Sequence, residues 1–134
     1  MSQDIADGVV GSVVLFGRNI ESPAQVQAMT TTLHGVSPHP LLIGIDQEGG
    51  WVSRLSSAFG ISSNYSAQYL GEQNDLALTT AQGASTAAEL AKLGINLNLA
   101  PVVDVNIIPP TRSSGAMNAA IRRTQPLWPN TPKR

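Results

Sequence analysis

Asp46-Gln47-Glu48-Gly49-Gly50 is the stretch of this 134-residue chain with the clearest chemical character. Two carboxylates stand two residues apart with an amide between them, a set suited to accepting hydrogen bonds from sugar hydroxyls. The two glycines that follow let the backbone turn tightly and come close to a ligand. A solvated acidic turn after a strand is the plainer alternative. Arg54, eight residues past Asp46, can offer a planar donor fork to a carboxylate or hydroxyl, or can be a surface arginine. Asp104 reads as a ligand group at a strand end, or as a cap or turn residue for the next segment. Arg18 reads as an ion-pair partner for one of these acids or as a structural residue. His34 and His39 fall at a helix end and in a Pro-rich loop, without metal-ligand spacing, and read as structural or surface residues. No nucleophile elbow, phosphate loop or dinucleotide fingerprint occurs. The absence of cysteine excludes a disulfide scaffold, a thiolate metal site and a thiol nucleophile. Nothing calls for a cofactor or a metal.

Strands and helices must position these groups. Val9 to Phe16 (VVGSVVLF) is an apolar, β-branched run fit for a strand buried on both faces. Ser22-Pro23-Ala24-Gln25 starts a helix: Ser22 caps, Pro23 suits the first position, and Gln25 can close a capping box. Val26, Met29, Thr30 and Leu33 come next at helical spacing, and Gly35 is placed to end the helix. Leu41 to Ile45 is a second buried strand, running directly into Asp46. The polar stretch from Ser53 to Gln73 shows no clear period. Asn74 or Asp75 caps a helix reaching about Leu93, with Ala84, Ala87, Ala88 and Ala91 as a small-residue face for packing on a sheet. Gly94 ends it, and Ile95 to Val103 is a third strand with Asp104 at its end. Strand and helix alternate, so the expected fold is α/β with parallel βαβ units and right-handed crossovers. Arg18-Asn19, Asp46-Gln47-Glu48 and Asp104-Asn106 then share the C-terminal edge of the sheet, where α/β enzymes place their sites.

Composition limits the function further. The length fits one domain, and no apolar run approaches the roughly 20 residues that span a bilayer. With 13% charged and 4% aromatic residues, neither a wholly disordered chain nor a stacking platform for single-stranded nucleic acid is indicated. No secretory signal is visible, which makes the cytoplasm the default compartment, although the N-terminus itself reads as truncated. Charge divides the chain. Up to Asn106 three basic residues (Arg18, Arg54, Lys92) accompany all nine acidic ones, a net −6; from Ile107 on, five basic residues stand without an acid, a net +5. Five of the nine prolines also lie in that tail. So abrupt a change marks a boundary, separating residues 1–106 from a basic, Pro-rich tail over 107–134.

VVLFGRNIESPAQV, PLLIGIDQEGGWVSRL and AAELAKLGINLNLAPVVDVN, in this order and spacing, resemble the N-terminal barrel of family 3 glycoside hydrolases over about Asp7 to Asn106. The sequence after Asp46 favours the β-N-acetylhexosaminidase branch over the β-glucosidase branch. The resemblance implies a (β/α)8 barrel with its sugar site at the C-terminal face. It also implies a retaining mechanism, with an aspartate nucleophile and a separate acid/base. Carried over residue by residue, Asp46 matches the aspartate that binds hydroxyls of the terminal sugar, and Arg54 the arginine of the same subsite. Asp104 matches a strand-end aspartate near it. The expected partner is therefore a carbohydrate, a β-linked N-acetylglucosaminide or glucoside, with no nucleic acid or membrane. The nucleophile's late strand, the acid/base loop (a Lys-His-Phe-Pro-Gly-His-Gly-like stretch with a His–Asp pair) and the first strand have no counterpart here. The expectation is an incomplete barrel of about three parallel strands with crossover helices and an irregular tail. Such a chain holds part of a substrate subsite and no catalytic residue, is inactive alone, and needs a complementary barrel fragment to close. A non-catalytic sugar-binding or interaction module completed by a partner chain is the other reading.

The tail departs from the family, whose members usually continue with a loop like NxNPxNPVIG…RSF. With one base restored near Ile108 and plausible codons, the shifted frame reads I-N-P-T-N-P-V-I-G-R-Y-E-R-S-Y-S-A-D-P. A single-base deletion thus accounts together for the charge reversal, the prolines and the lack of hydrophobic period, and makes the tail out of frame and disordered. A basic tail that binds nucleic acid is the competing reading, but its five charges spread over 28 residues form no stripe.

Overall fold

The computed structural model describes residues 1–55, 59–60 and 65–103. A short helix α1 (Ser2–Ala6) leads into strand β1 (Ser12–Leu15), a 3-10 turn (Gly17–Asn19) and helix α2 (Pro23–Val36). Strand β2 (Leu42–Ile45), helices α3 (Ala67–Gln73) and α4 (Leu76–Lys92) and strand β3 (Leu97–Asn98) complete the order. The three strands form one parallel sheet in the order β1-β2-β3, with Leu15 beside Ile45 and Ile45 beside Asn98.

Side chains alternate across a sheet, so residues in register share a face. Leu15, Ile43 and Ile45 lie on the covered face, in one core with Val26 and Leu33 of α2 and with Leu90 and Leu93. Ile43 and Ile45 are wholly inaccessible to solvent. On the other face Val14 and Leu42 remain 40% and 49% exposed, so helices cover one side of the sheet and leave the other open. The α/β class and the second strand are as expected; several boundaries and faces are not.

β1 starts at Ser12 rather than Val9. The Val9 and Val10 amides instead donate to Asp4 O at 2.8 and 3.1 Å, closing the end of α1 through Gly8 in the left-handed region (φ 73°). The strand is not buried on both faces: Val14, and Phe16 just beyond its end, remain 40% and 41% exposed. Helix α2 begins as expected, with Ser22 Oγ accepting from Gln25 N at 3.2 Å. Gln25 Oε1 reaches back to Glu21 N rather than to Ser22, and the helix passes through Gly35 to Val36. The segment without period contains α3, capped by Ser66 Oγ on Tyr69 N and ended by Asn74 in the left-handed region. β3 pairs over two residues only. Side-chain amides extend its ladder: Asn96 Oδ1 accepts from Ile43 N while Asn96 Nδ2 donates to Leu41 O.

Asp75 caps α4 through Ala77 N and Leu78 N. The expected alanine face does not meet the sheet: Ala84, Ala87, Ala88 and Ala91 are not buried, and buried Leu90 makes the contact. The carbonyls at the end of α4 take donors from one side of α2. Gln27 Nε2 donates to Lys92 O at 2.8 Å and Thr30 Oγ1 to Leu93 O at 2.7 Å, and His34 Nε2 lies 2.9 Å from Gly94 O. These are the orphan acceptors of a helix end, satisfied across the interhelical contact. Gly94 has φ 71°, and a Cβ there would come within 2.6 Å of Thr30 Oγ1. Gly94→Ala is therefore expected to cost about 2 kcal/mol, from left-handed strain plus loss of the buried Thr30–Leu93 hydrogen bond. Urea denaturation measures it.

Candidate functional site

β2 delivers Asp46 at its C-terminal end, and the chain then doubles back. Gly49 and Gly50, at φ 89° and 62°, make the reversal, and Glu48 N and Gly49 N both donate to Val52 O. The return brings Arg54 beside Asp46, with Nη2 2.9 Å from Asp46 Oδ2 and both side chains a little over one quarter exposed. The eight-residue spacing thus becomes an ion pair at the strand end. Arg54 Nε is buried and has no hydrogen-bond partner among the described residues. A buried N–H of a guanidinium without an acceptor is costly.

Gln47, the residue between the two carboxylates, points the other way and is 4% exposed. Its Oε1 accepts from both Arg54 N (2.8 Å) and Leu55 N (3.0 Å), and its Nε2 donates to Ser53 Oγ (2.7 Å). Its backbone is gripped from β3: Asn98 Oδ1 accepts from Gln47 N, and Asn98 Nδ2 donates to Gln47 O, each at 3.1 Å. Gln47, Ser53 and Asn98 were not singled out from the sequence. The available signals were the alternation Asp46-Gln47-Glu48, which turns the middle residue inward, and the regular asparagines of INLNL.

Glu48 is partly buried beside Asp46. Burial holds its carboxyl above the ordinary value of 4.5, reinforced by the charge of Asp46 and a hydrogen bond shared with it, and opposed by Arg54. A carboxyl raised on folding destabilises the folded chain once ionised. That penalty is absent below pH 4.5 and complete above the raised pKa. Glu48→Gln should thus stabilise the chain at pH 7 relative to wild type and lose that advantage near pH 4, as read by denaturant midpoints at the two pH values. A gain independent of pH would contradict the assignment.

Arg18 does not join the acids; its guanidinium lies 4.9 Å over the Phe16 ring. Asp104 lies outside the described residues, as does the tail from 107 onward. His34 serves the contact between α2 and the end of α4, and His39 is exposed. An open cavity of about 530 Å³ runs between α4 and the free edge of β3, with Glu48, Tyr65, Gln82 and Asn98 in its lining. Neither Asp46 nor Arg54 borders it, so it is the gap beside the outer edge of β3 rather than the pocket of the ion pair. Among the described residues, no group of three or more histidine, aspartate or glutamate side chains could hold a metal ion.

A parallel α/β sheet that presents a carboxylate–guanidinium pair and a neighbouring acid at the C-terminal end of a strand has its polar groups where α/β enzymes place their sites. Residues 1–119 match the Glycosyl hydrolase family 3 N terminal domain. The chain is 40% identical over 104 residues to a beta-hexosaminidase of Nitrosomonas eutropha, an alignment covering 73% of this chain and 29% of that protein. It is 36% identical over 110 residues to one of Bordetella avium, covering 78% and 31%. In structure it resembles a family 3 beta-N-acetylglucosaminidase from a Paenibacillus species, with a TM-score of 0.72 and 37% identity over 78% of this chain and 20% of that one. NagZ from Neisseria gonorrhoeae in complex with N-trifluoroacetyl-D-glucosamine gives a TM-score of 0.68 at 30% identity, over 78% and 32%. This chain belongs to glycoside hydrolase family 3, and its three strands are an arc of that family's N-terminal (β/α)8 barrel. It spans 29–31% of the length of the beta-hexosaminidases it matches.

Proposed function

We propose that this chain carries the terminal-sugar subsite of a retaining family 3 β-N-acetylhexosaminidase, and that the 134 residues alone do not hydrolyse glycosides. The observation that carries the reading is the partly exposed Asp46–Arg54 pair at the C-terminal end of β2. Ion pairing orients the guanidinium, the carboxylate keeps acceptor capacity for hydroxyls, and the terminal guanidinium nitrogens supply donors. Asp104 is assigned to the same subsite by the family resemblance alone. Cleavage needs a nucleophile and an acid/base on opposite sides of the glycosidic bond, and the carboxylates of this loop serve binding instead. The names of the relatives support N-acetylglucosamine over glucose. Titration calorimetry tests the reading: saturable binding of N-acetylglucosamine, weaker for glucose, and no nitrophenol released from the nitrophenyl N-acetyl-β-glucosaminide. Turnover by the 134-residue chain would overturn the inactivity; absence of any sugar binding would overturn the subsite.

The open face of the sheet, with Val14, Leu42 and Leu99 exposed, favours a second reading. Here the chain acts without catalysis as a sugar-binding module, completed by a partner chain that supplies the missing strands. Residues 107–134 are, in either reading, an out-of-frame continuation, with the shift falling inside the span that matches the family. Sequencing the gene across these codons decides that point.

A further inference from the structure

Two polar side chains are buried among the described residues, Thr30 and Gln47. Thr30 closes a helix end. Gln47 closes nothing of its own: its carboxamide spends both ends on the segment that carries Arg54. We propose that Gln47, clamped by Asn98, is the positioning residue that holds Arg54 in sugar-binding geometry. The proposal rests on the reading of Asp46 and Arg54 as a sugar subsite.

The connectivity runs in one direction. Asn98, at the end of β3, brackets the backbone N–H and C=O of Gln47 with its own amide. That fixes the end of β2 against its neighbour beyond the last paired residue, Ile45. Gln47 Oε1 then receives two successive amides, Arg54 N and Leu55 N, so the backbone on which the arginine sits is tied at two points. Nε2 fixes Ser53 Oγ, which in turn donates to Leu55 O at 2.9 Å. Arg54 itself touches Asp46 through one nitrogen, Nη2, in a partly exposed pair. A single partly exposed contact does not immobilise a long side chain; anchoring its backbone on both sides removes much of the freedom it would otherwise lose on binding. Asp46 meets Arg54 while the carboxamide of Gln47 is buried, so adjacent residues supply the ligand group and the anchor for its partner.

Gln47→Met keeps the length and removes both polar ends; Gln47→Glu keeps the acceptors. The experiment uses both variants in the full chain, with amide hydrogen exchange resolved at Arg54 and Leu55 and titration with N-acetylglucosamine. Gln47→Met should speed exchange at both amides and weaken binding at least about tenfold, the loss expected for unmade hydrogen bonds. In Gln47→Glu the buried carboxyl mimics the carboxamide when protonated. Its affinity relative to wild type at the same pH should recover as the pH falls from about 7 to about 5, a range set by a buried glutamate's raised titration. Asp46, Glu48 and Arg54, the charged groups around it, are common to both proteins, and the ratio cancels them. A purely structural role would not tie the recovery to that titration. Unchanged exchange at Arg54 and Leu55 in Gln47→Met overturns the proposal. So does an affinity ratio for Gln47→Glu that ignores pH, which decides the matter should Gln47→Met not fold. If wild type binds no sugar, the subsite reading fails, while the exchange rates still decide whether Gln47 anchors Arg54.

Discussion

Ile45→Ala is expected to lower the stability of the folded chain by about 3 kcal/mol, with a cavity left beneath the functional loop. Ile45 is inaccessible to solvent on the central strand, with Leu15 beside it on β1 and the core residues of α2 and α4 over the same face. Central strands leave little room for collapse around a lost side chain, since neighbours on both sides are held in register. Only one face of this sheet is covered, so few other contacts offset the loss. Against the roughly 5–15 kcal/mol typical of whole domains, about 3 kcal/mol is a large share. Equilibrium denaturation followed by circular dichroism gives the value. A change under about 1 kcal/mol would mean that β2 is not the core strand of the sheet.

Arg54→Ala has its large effect elsewhere. The ion pair with Asp46 is more than a quarter exposed on both sides, so its loss should change stability by no more than about 1 kcal/mol. Sugar binding should fall about a hundredfold, because hydrogen bonds to a charged group contribute about 1.5–3 kcal/mol and the guanidinium offers more than one. Arg54→Lys should recover little, since an ammonium cannot hold Asp46 and present a second fixed donor in the plane of Nε. Asp46→Ala should produce a comparable loss, and the double substitution less than the sum, as for two residues acting through one contact. Calorimetric titration of the four proteins with N-acetylglucosamine checks this. Additive losses would show the two residues to be independent.

Much of this site was legible before the structure, and the reasons are local. LLIGI is an apolar run of strand length, so the strand that presents Asp46 could be placed and the acids assigned to its C-terminal end, although Leu42 lies half-exposed on the open face. Ser22, Asp75 and Gly94 marked helix ends because their chemistry acts within a turn or two. Errors arose where a distant contact decides. Val9 and Val10 look like strand but close α1, because Asp4 O lies within reach of both amides. Four alanines suggested a sheet-facing stripe on α4, yet composition does not say which side meets the sheet, and Leu90 does. Arg18, open between an ion-pair partner and a structural residue, lies over the ring of Phe16. Gln47 was hidden between two more conspicuous carboxylates, and its role depends on Ser53, Arg54 and Asn98, none of which a local pattern ties to it.

The most direct test of the central claim is a crystal structure of the chain grown with N-acetylglucosamine. Sugar hydroxyls about 3 Å from Asp46 Oδ and from a terminal guanidinium nitrogen of Arg54 are the expected result. A sugar bound elsewhere, or one that touches neither Asp46 nor Arg54 at saturating ligand, would contradict it.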